Sequence, residues 1–147
     1  MKTVISYRYN GEVIKDLESL LIDVCNAFKI IGIDPYCVYF EHFNEDYCKT
    51  PAEMMQIAFS HINNADFLFV VQTSASRSEG MLMEIGYAIA KGIKVFVATK
   101  AGVENTYLPS MADYFMLYTD TDDLIRQIKQ NDFNVIEAGN NAVRLNK

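Results

Sequence analysis

The segment 67–71, FLFVV, limits what this chain can fold into more than any other. Five apolar residues in a row, with no polar alternation and bounded by polar stretches, read as a strand covered on both faces. A strand of that kind needs helices above and below its sheet. The segment 93–98 repeats the signal, and helical spacing stands between the two in MLMEIGYAIA, which Lys91-Gly92 ends. The chain is 147 residues long, half of them apolar and 22% charged, which is one domain by size and globular by composition.

The remaining elements follow the same alternation. Residues 3–7 read as a strand ended by Asn10-Gly11, and Val13, Leu17, Leu20, Leu21, Val24, Ala27 and Phe28 mark a helix that Gly32 stops. Residues 36–40 are aromatic and β-branched and predict a second strand. Thr50-Pro51 followed by Glu53 predicts a helix start with a capping box, running to about Ile62. After 93–98 come a long loop over 99–112, a strand over 114–118 and a helix over 121–130; residues 131–147 lack a period and read as a tail or an arm that packs on something. This order predicts a single three-layer α/β domain, flavodoxin- or Rossmann-like, with a five-stranded parallel sheet in the order 2-1-3-4-5. The crevice at the switch point then lies between the loops YRYNGE and TSASRSEG.

Several function classes are disfavoured before any site is considered. Net charge is −6, from 13 basic and 19 acidic residues, and the basic ones form no stripe, so a long nucleic acid is not an expected partner. The opening MKTVISYRYNGE has polar residues where a leader would be apolar, and no apolar stretch reaches the ~18 residues of a membrane span, so no membrane partner is expected. Three cysteines, Cys25, Cys37 and Cys48, have no metal-ligand spacing and suit a reducing, cytoplasmic setting. Neither GxxxxGK[ST] nor GxGxxG is present, and His42 and His61 lack partners at ligand offsets, so neither metal nor cofactor is expected.

The TSASRSEG loop offers the hydroxyls of Thr73, Ser74, Ser76 and Ser78, the charge of Arg77, and Gly80 for close backbone approach. With free N–H groups at the start of the following helix, it reads as a small-anion cradle. The competing reading is a plain capping box of Ser76 with Glu79. Glu84 stands one turn into that helix, whose core stripe reads as Leu82, Ile85 and Ile89, so that Glu84 shares a side with Met81 and Ala88. A carboxylate beside an anion cradle suits a nucleophile or general base; the alternative is a solvated helical glutamate. Arg8, just after the first strand, is a candidate phosphate clamp or a surface arginine, and Tyr7 and Tyr9 flank it as candidate stacking partners for a base. Asp66 reads as a helix-to-strand turn residue. The loop with Glu41, His42, Glu45 and Asp46 is placed to close over a site.

The stretch ADFLFVVQTSASRSEGMLMEIGYAIAKGIKVFVA resembles the signature of the nucleoside 2-deoxyribosyltransferase superfamily, and ISYRYNGE is similar to the first-strand loop of its nucleotide hydrolases. The resemblance covers about residues 3–130. It implies cleavage of the N-glycosidic bond of a nucleoside 5′-monophosphate, by hydrolysis or base transfer, with Glu84 attacking the anomeric carbon. It also implies that Ser78 and Gly80 hold the 5′-phosphate and that Gly11 belongs to the substrate loop. The partners implied are a small-molecule nucleotide or nucleoside and further copies of the chain, as a homodimer or tetramer. Met81, Tyr87 and Ala88, off the expected core stripe, support that oligomer unless loop 99–112 or the tail covers them. The family usually carries an aspartate eight residues before Asp66, where this chain has Ala58. Two alternatives stay open: a TIR-like NAD glycohydrolase, and a nucleotide-binding sensor without catalysis.

Overall fold

A computed structural model describes residues 1–41 and 50–136. Five parallel strands form one sheet in the order β2-β1-β3-β4-β5. In chain order the elements are β1 (Lys2–Tyr7), α1 (Ile14–Ile30), β2 (Asp34–Tyr36), α2 (Val38–Glu41), α3 (Pro51–Asn63) and β3 (Phe67–Gln72). They continue with α4 (Glu79–Ala90), β4 (Lys94–Lys100), α5 (Leu108–Met111), β5 (Tyr114–Tyr118), α6 (Thr121–Gln130) and a 3₁₀ turn, Phe133–Ile136.

The period of two along each strand divides the interior into two cores. Phe67, Phe69 and Val71 of β3 face α1 and α6, where Phe28, Leu21, Leu124 and Ile128 are buried. Leu68 and Val70 face the other way, onto Ile62 of α3 and Met81, Ile85 and Ala88 of α4. All six residues of β3 are buried, which is why its sequence shows no alternation. The same parity puts Val4 on the α3–α4 side, and Ser6, two residues on, faces that side as well. At the opposite end of the sheet Asp66 accepts from the Lys2 backbone N–H at 2.6 Å, tying the start of β3 to that of β1.

Four local expectations are corrected. The second strand is only Asp34–Tyr36, and residues from Val38 turn into the short helix α2; aromatic content alone does not hold a strand at a sheet edge with one neighbour. The buried stripe of α4 is Met81, Ile85 and Ala88, while Leu82 is half-buried and Ile89 is 41% exposed. A helix apolar on most sides offers several stripes of equal spacing, and the one containing small Ala88 approaches the sheet. Met81 and Ala88 are therefore covered within their own chain and no longer argue for an oligomer; on α4, Met83 and Ile89 are the exposed large apolar side chains. The helix is capped by Ser78, whose Oγ accepts from Met81 N–H at 3.3 Å, and not by Ser76, whose own N–H donates to Ser74 Oγ at 3.2 Å. The capping box at Thr50 and Glu53 is present as the sequence predicts. In the loop 99–112 the short helix α5 forms, and after α6 the side chain of Phe133 inserts between Phe28, Phe67 and Phe96, so this part of the expected tail is an arm packed on the core.

Candidate functional site

A cleft of ≈ 880 Å³ opens at the carboxyl ends of β1 and β3, on the α3–α4 side of the sheet. The β1–α1 loop contributes Tyr7, Tyr9 and Asn10, and α2 contributes Val38 and Tyr39. Helix α3 supplies Ala52, Met54, Met55, Gln56 and Phe59, and α4 with its cap supplies Ser78, Glu79, Gly80, Met81, Met83 and Glu84. The wall is thus largely apolar and methionine-rich, with a few convergent polar groups, as small-molecule sites commonly are. Phe59 stacks on Tyr87 with ring centroids 4.2 Å apart and so joins α3 to α4 behind this wall.

Glu84 brings a half-buried carboxyl group into the cleft. Its position on α4, three after Met81 and four before Ala88, turns it toward the sheet rather than outward. There Ser6 of β1 donates a hydrogen bond to Glu84 Oε2. Burial pushes the carboxyl up to about 7, and the Ser6 hydroxyl opposes the rise by stabilising the ionised form. Tyr7 is pushed well above the ordinary tyrosine range by burial, then by Cys37 and Glu84, so its phenol stays protonated beside the carboxylate. Nothing local in the sequence marks Ser6 as part of a site. The parity of β1 with respect to α4 is the signal that finds it, once Met81, Glu84 and Ala88 are known to share a face.

Of the other sequence candidates, Tyr9, Ser78 and Gly80 line the cleft; Arg8, Gly11, Ser74 and Ser76 are not among its lining residues. Arg8 is paired with Glu12, its Nε and Nη2 each 3.1 Å from Glu12 Oε1. The same oxygen accepts from Thr73 Oγ1 at 2.9 Å, so Arg8, Glu12 and Thr73 clasp the β1–α1 and β3–α4 loops together. Gly11 has a φ of +82°, and a Cβ there would lie 3.3 Å from Arg8 Nη1; it shapes the turn that holds this clasp. Arg77 is exposed and outside the lining. His61 stacks on Tyr36 with ring centroids 3.4 Å apart, and Ala58 is buried in the interior, outside the cleft. The polar side chain that α3 brings to the cleft is Gln56. His42, Glu45 and Asp46 lie outside the described residues.

No Lys, Arg or His lines the cleft among the described residues, and its charged groups are Glu79 and Glu84. Anion binding there would rest on Ser78 and the free N–H groups at the start of α4. Among the described residues no group of three or more His, Cys, Asp or Glu is arranged to hold a metal ion, and no helix is long and apolar enough to cross a membrane.

No protein-family model matches the sequence, and a search of curated proteins finds no match. Solved structures do match. The 2-deoxyribosyltransferase of Bacillus psychrosaccharolyticus superposes with a TM-score of 0.69 at 14% identity, over 92% of this chain and 96% of that one. The CMP N-glycosidase of Clostridium botulinum gives 0.68 at 12% identity, over 89% of this chain and 100% of that one. A flavoenzyme NAD(P)H:acceptor oxidoreductase from Paracoccus denitrificans gives 0.51 at 11%, over 93% of each chain. At such identities the likeness is one of fold, and these relatives carry different chemistries, so function must be argued from the cleft.

Proposed function

We propose that this protein cleaves the N-glycosidic bond of a nucleoside or nucleotide, with Glu84 acting on the anomeric carbon. The observation that carries the reading is a half-buried carboxyl group, hydrogen-bonded by Ser6, in the cleft at the switch point of the sheet. Cleavage passes through an oxocarbenium-like state, as in glycoside chemistry generally. The C1′–N bond breaks, its electron pair leaves with the base, and the ionised Glu84 carboxylate stabilises the cationic sugar or traps it as an ester. Water attack then gives hydrolysis, and attack by a second base gives transfer. The apolar walls exclude water and strengthen the carboxylate's action. That two fold relatives are a deoxyribosyltransferase and a CMP N-glycosidase supports this class of reaction.

The finer reading is a 5′-monophosphate substrate whose phosphate meets Ser78 and the α4 N-terminus, with Gly80 leaving room for it: a Cβ there would meet nothing closer than Met55 Sδ at 3.8 Å. Charge-assisted hydrogen bonds contribute about 1.5–3 kcal/mol each, so a nucleotide should bind at least about tenfold tighter than its nucleoside. Equal affinities would reassign the substrate to the free nucleoside. A second reading, binding without turnover, is favoured by the absence of any α3 carboxylate from the described cleft lining. A panel of 5′-mononucleotides, nucleosides and NAD, followed by chromatography for the released base, separates the readings. Free base from a nucleoside or nucleotide supports glycosidic cleavage, nicotinamide alone would indicate an NAD glycohydrolase, and tight binding with no base released would indicate a sensor.

A further inference from the structure

The strands β1 and β3 leave the sheet side by side and then part. Their ladder runs as far as Tyr7 and Val71. Beyond it one chain turns into α1, on one face of the sheet, and the other into α4, on the opposite face. The cleft opens where they diverge, so its width there is set by what joins the two loops past the end of the ladder.

The joining bonds converge on one oxygen. Glu12 Oε1 accepts from Arg8 Nε and Nη2, each at 3.1 Å, and from Thr73 Oγ1 at 2.9 Å. Each side of this contact is itself held. The Glu12 backbone N–H donates to the Tyr9 carbonyl at 3.3 Å, which closes the turn over 9–12 and brings Glu12 back to Arg8. On the other side the residue before Thr73 is locked in the sheet: the buried amide of Gln72 accepts from Thr99 Oγ1 at 3.0 Å and donates to Thr106 Oγ1 at 2.9 Å. Thr73 is thus a fixed point at the end of β3, and Glu12 fastens the β1–α1 loop to it. The Arg8 and Glu12 side chains are 16% and 20% exposed, so salt screens their pairing less than that of an open surface pair.

We propose that Glu12 is a positioning residue for the cleft: through Arg8 and Thr73 it holds the wall carrying Tyr9 and Asn10 against the α4 cap carrying Ser78, and so sets ligand affinity without touching the ligand. Arg8, Glu12 and Thr73 lie outside the lining, whereas Tyr9, Asn10 and Ser78 belong to it. The inference rests on the reading of the cleft as the substrate site. A loop that is clasped only part of the time binds with an affinity reduced by that fraction, and a saturating ligand restores the clasped form. Loss of the clasp therefore raises KM and spares kcat, because β1 and α4 themselves hold Ser6 and Glu84.

The test compares, in the full-length chain, Thr73→Val, which keeps the shape and removes the hydroxyl, with Thr73→Ser, which keeps the hydroxyl. NMR-detected hydrogen exchange of the Glu12 amide in the unliganded protein reads the clasp itself. Thr73→Val should speed that exchange about tenfold, from a loop 61 positions away, and Thr73→Ser should not. Kinetics on the 5′-mononucleotide that the native protein cleaves fastest read the consequence: Thr73→Val should raise KM about threefold to tenfold with kcat within about twofold, and Thr73→Ser should match the native protein. Glu12→Gln, which removes the charge, should repeat both effects of Thr73→Val. Exchange unchanged by Thr73→Val, KM unchanged although exchange rises, a fall in kcat in place of the rise in KM, or Thr73→Ser behaving as Thr73→Val does would each overturn the proposal. A native protein that releases no base from any nucleotide removes the glycosidase reading alone; the Kd for CMP then replaces KM with the same expected rise, and failure of CMP to bind would overturn both.

Discussion

At the scale of single residues the site rests on the contact between Ser6 and Glu84. Burial raises the carboxyl and the hydroxyl lowers it, so the two together hold it near neutrality, where an ionised and a protonated form are both accessible. Removing the hydroxyl leaves burial unopposed. A hydrogen bond to a charged group contributes about 1.5–3 kcal/mol, and about 1.4 kcal/mol is one pH unit, so Ser6→Ala should move the Glu84 titration upward by roughly one to two units. Carbon-13 NMR of labelled glutamate carboxyls, with Glu84→Gln to assign the signal, reads this without depending on turnover. An unshifted midpoint would mean that the hydroxyl does not hold the carboxylate. Glu84 was legible from its place after the serine–glycine loop, but Ser6 was not, because a serine in an apolar strand carries no local mark of its partner 78 positions away.

At the scale of elements, the sheet order and most helix limits were readable because short unbroken apolar runs alternate along the chain with segments of helical spacing. What was not readable depends on tertiary neighbours. The stripe of α4 is chosen by how closely Ala88 approaches the sheet, and the short β2 reflects its edge position. Arg8 looked available as a clamp because nothing in the local sequence shows that Thr73 would arrive to complete a bond with Glu12. The β1–α1 loop depends on Gly11 in the left-handed region with a guanidinium directly over it. Gly11→Ala adds both backbone strain and a close contact at 3.3 Å, and should cost about 1–2 kcal/mol in thermal or urea unfolding. An unchanged midpoint would show that the loop relaxes without loss.

For the whole molecule, the two cores on either side of the sheet provide stability, and Phe133 completes the first of them from beyond the last helix. Glu84 works against that stability. Its carboxyl is raised from 4.5 to about 7 in the folded protein, so below 4.5 both folded and unfolded chains hold the proton and burial of the ionised group costs nothing. As the pH rises from 4.5 to 7 the unfolded chain ionises first, and stability falls, by on the order of 3 kcal/mol once the pH exceeds 7. Glu84→Gln should therefore melt several degrees above the native protein at pH 8 and close to it at pH 5. Equal differences at both pH values would mean that the carboxyl is not buried as described. A group retained at that cost fits a functional role better than a structural one.

The central claim, that Glu84 carries glycosidic cleavage, is tested most directly by comparing free-base release by the native protein and by Glu84→Gln on the best substrate of the panel, with ligand affinity measured in parallel. The account predicts that the variant binds within a few-fold of the native affinity and loses about a thousandfold or more in rate. A variant that releases base within tenfold of the native rate would contradict it.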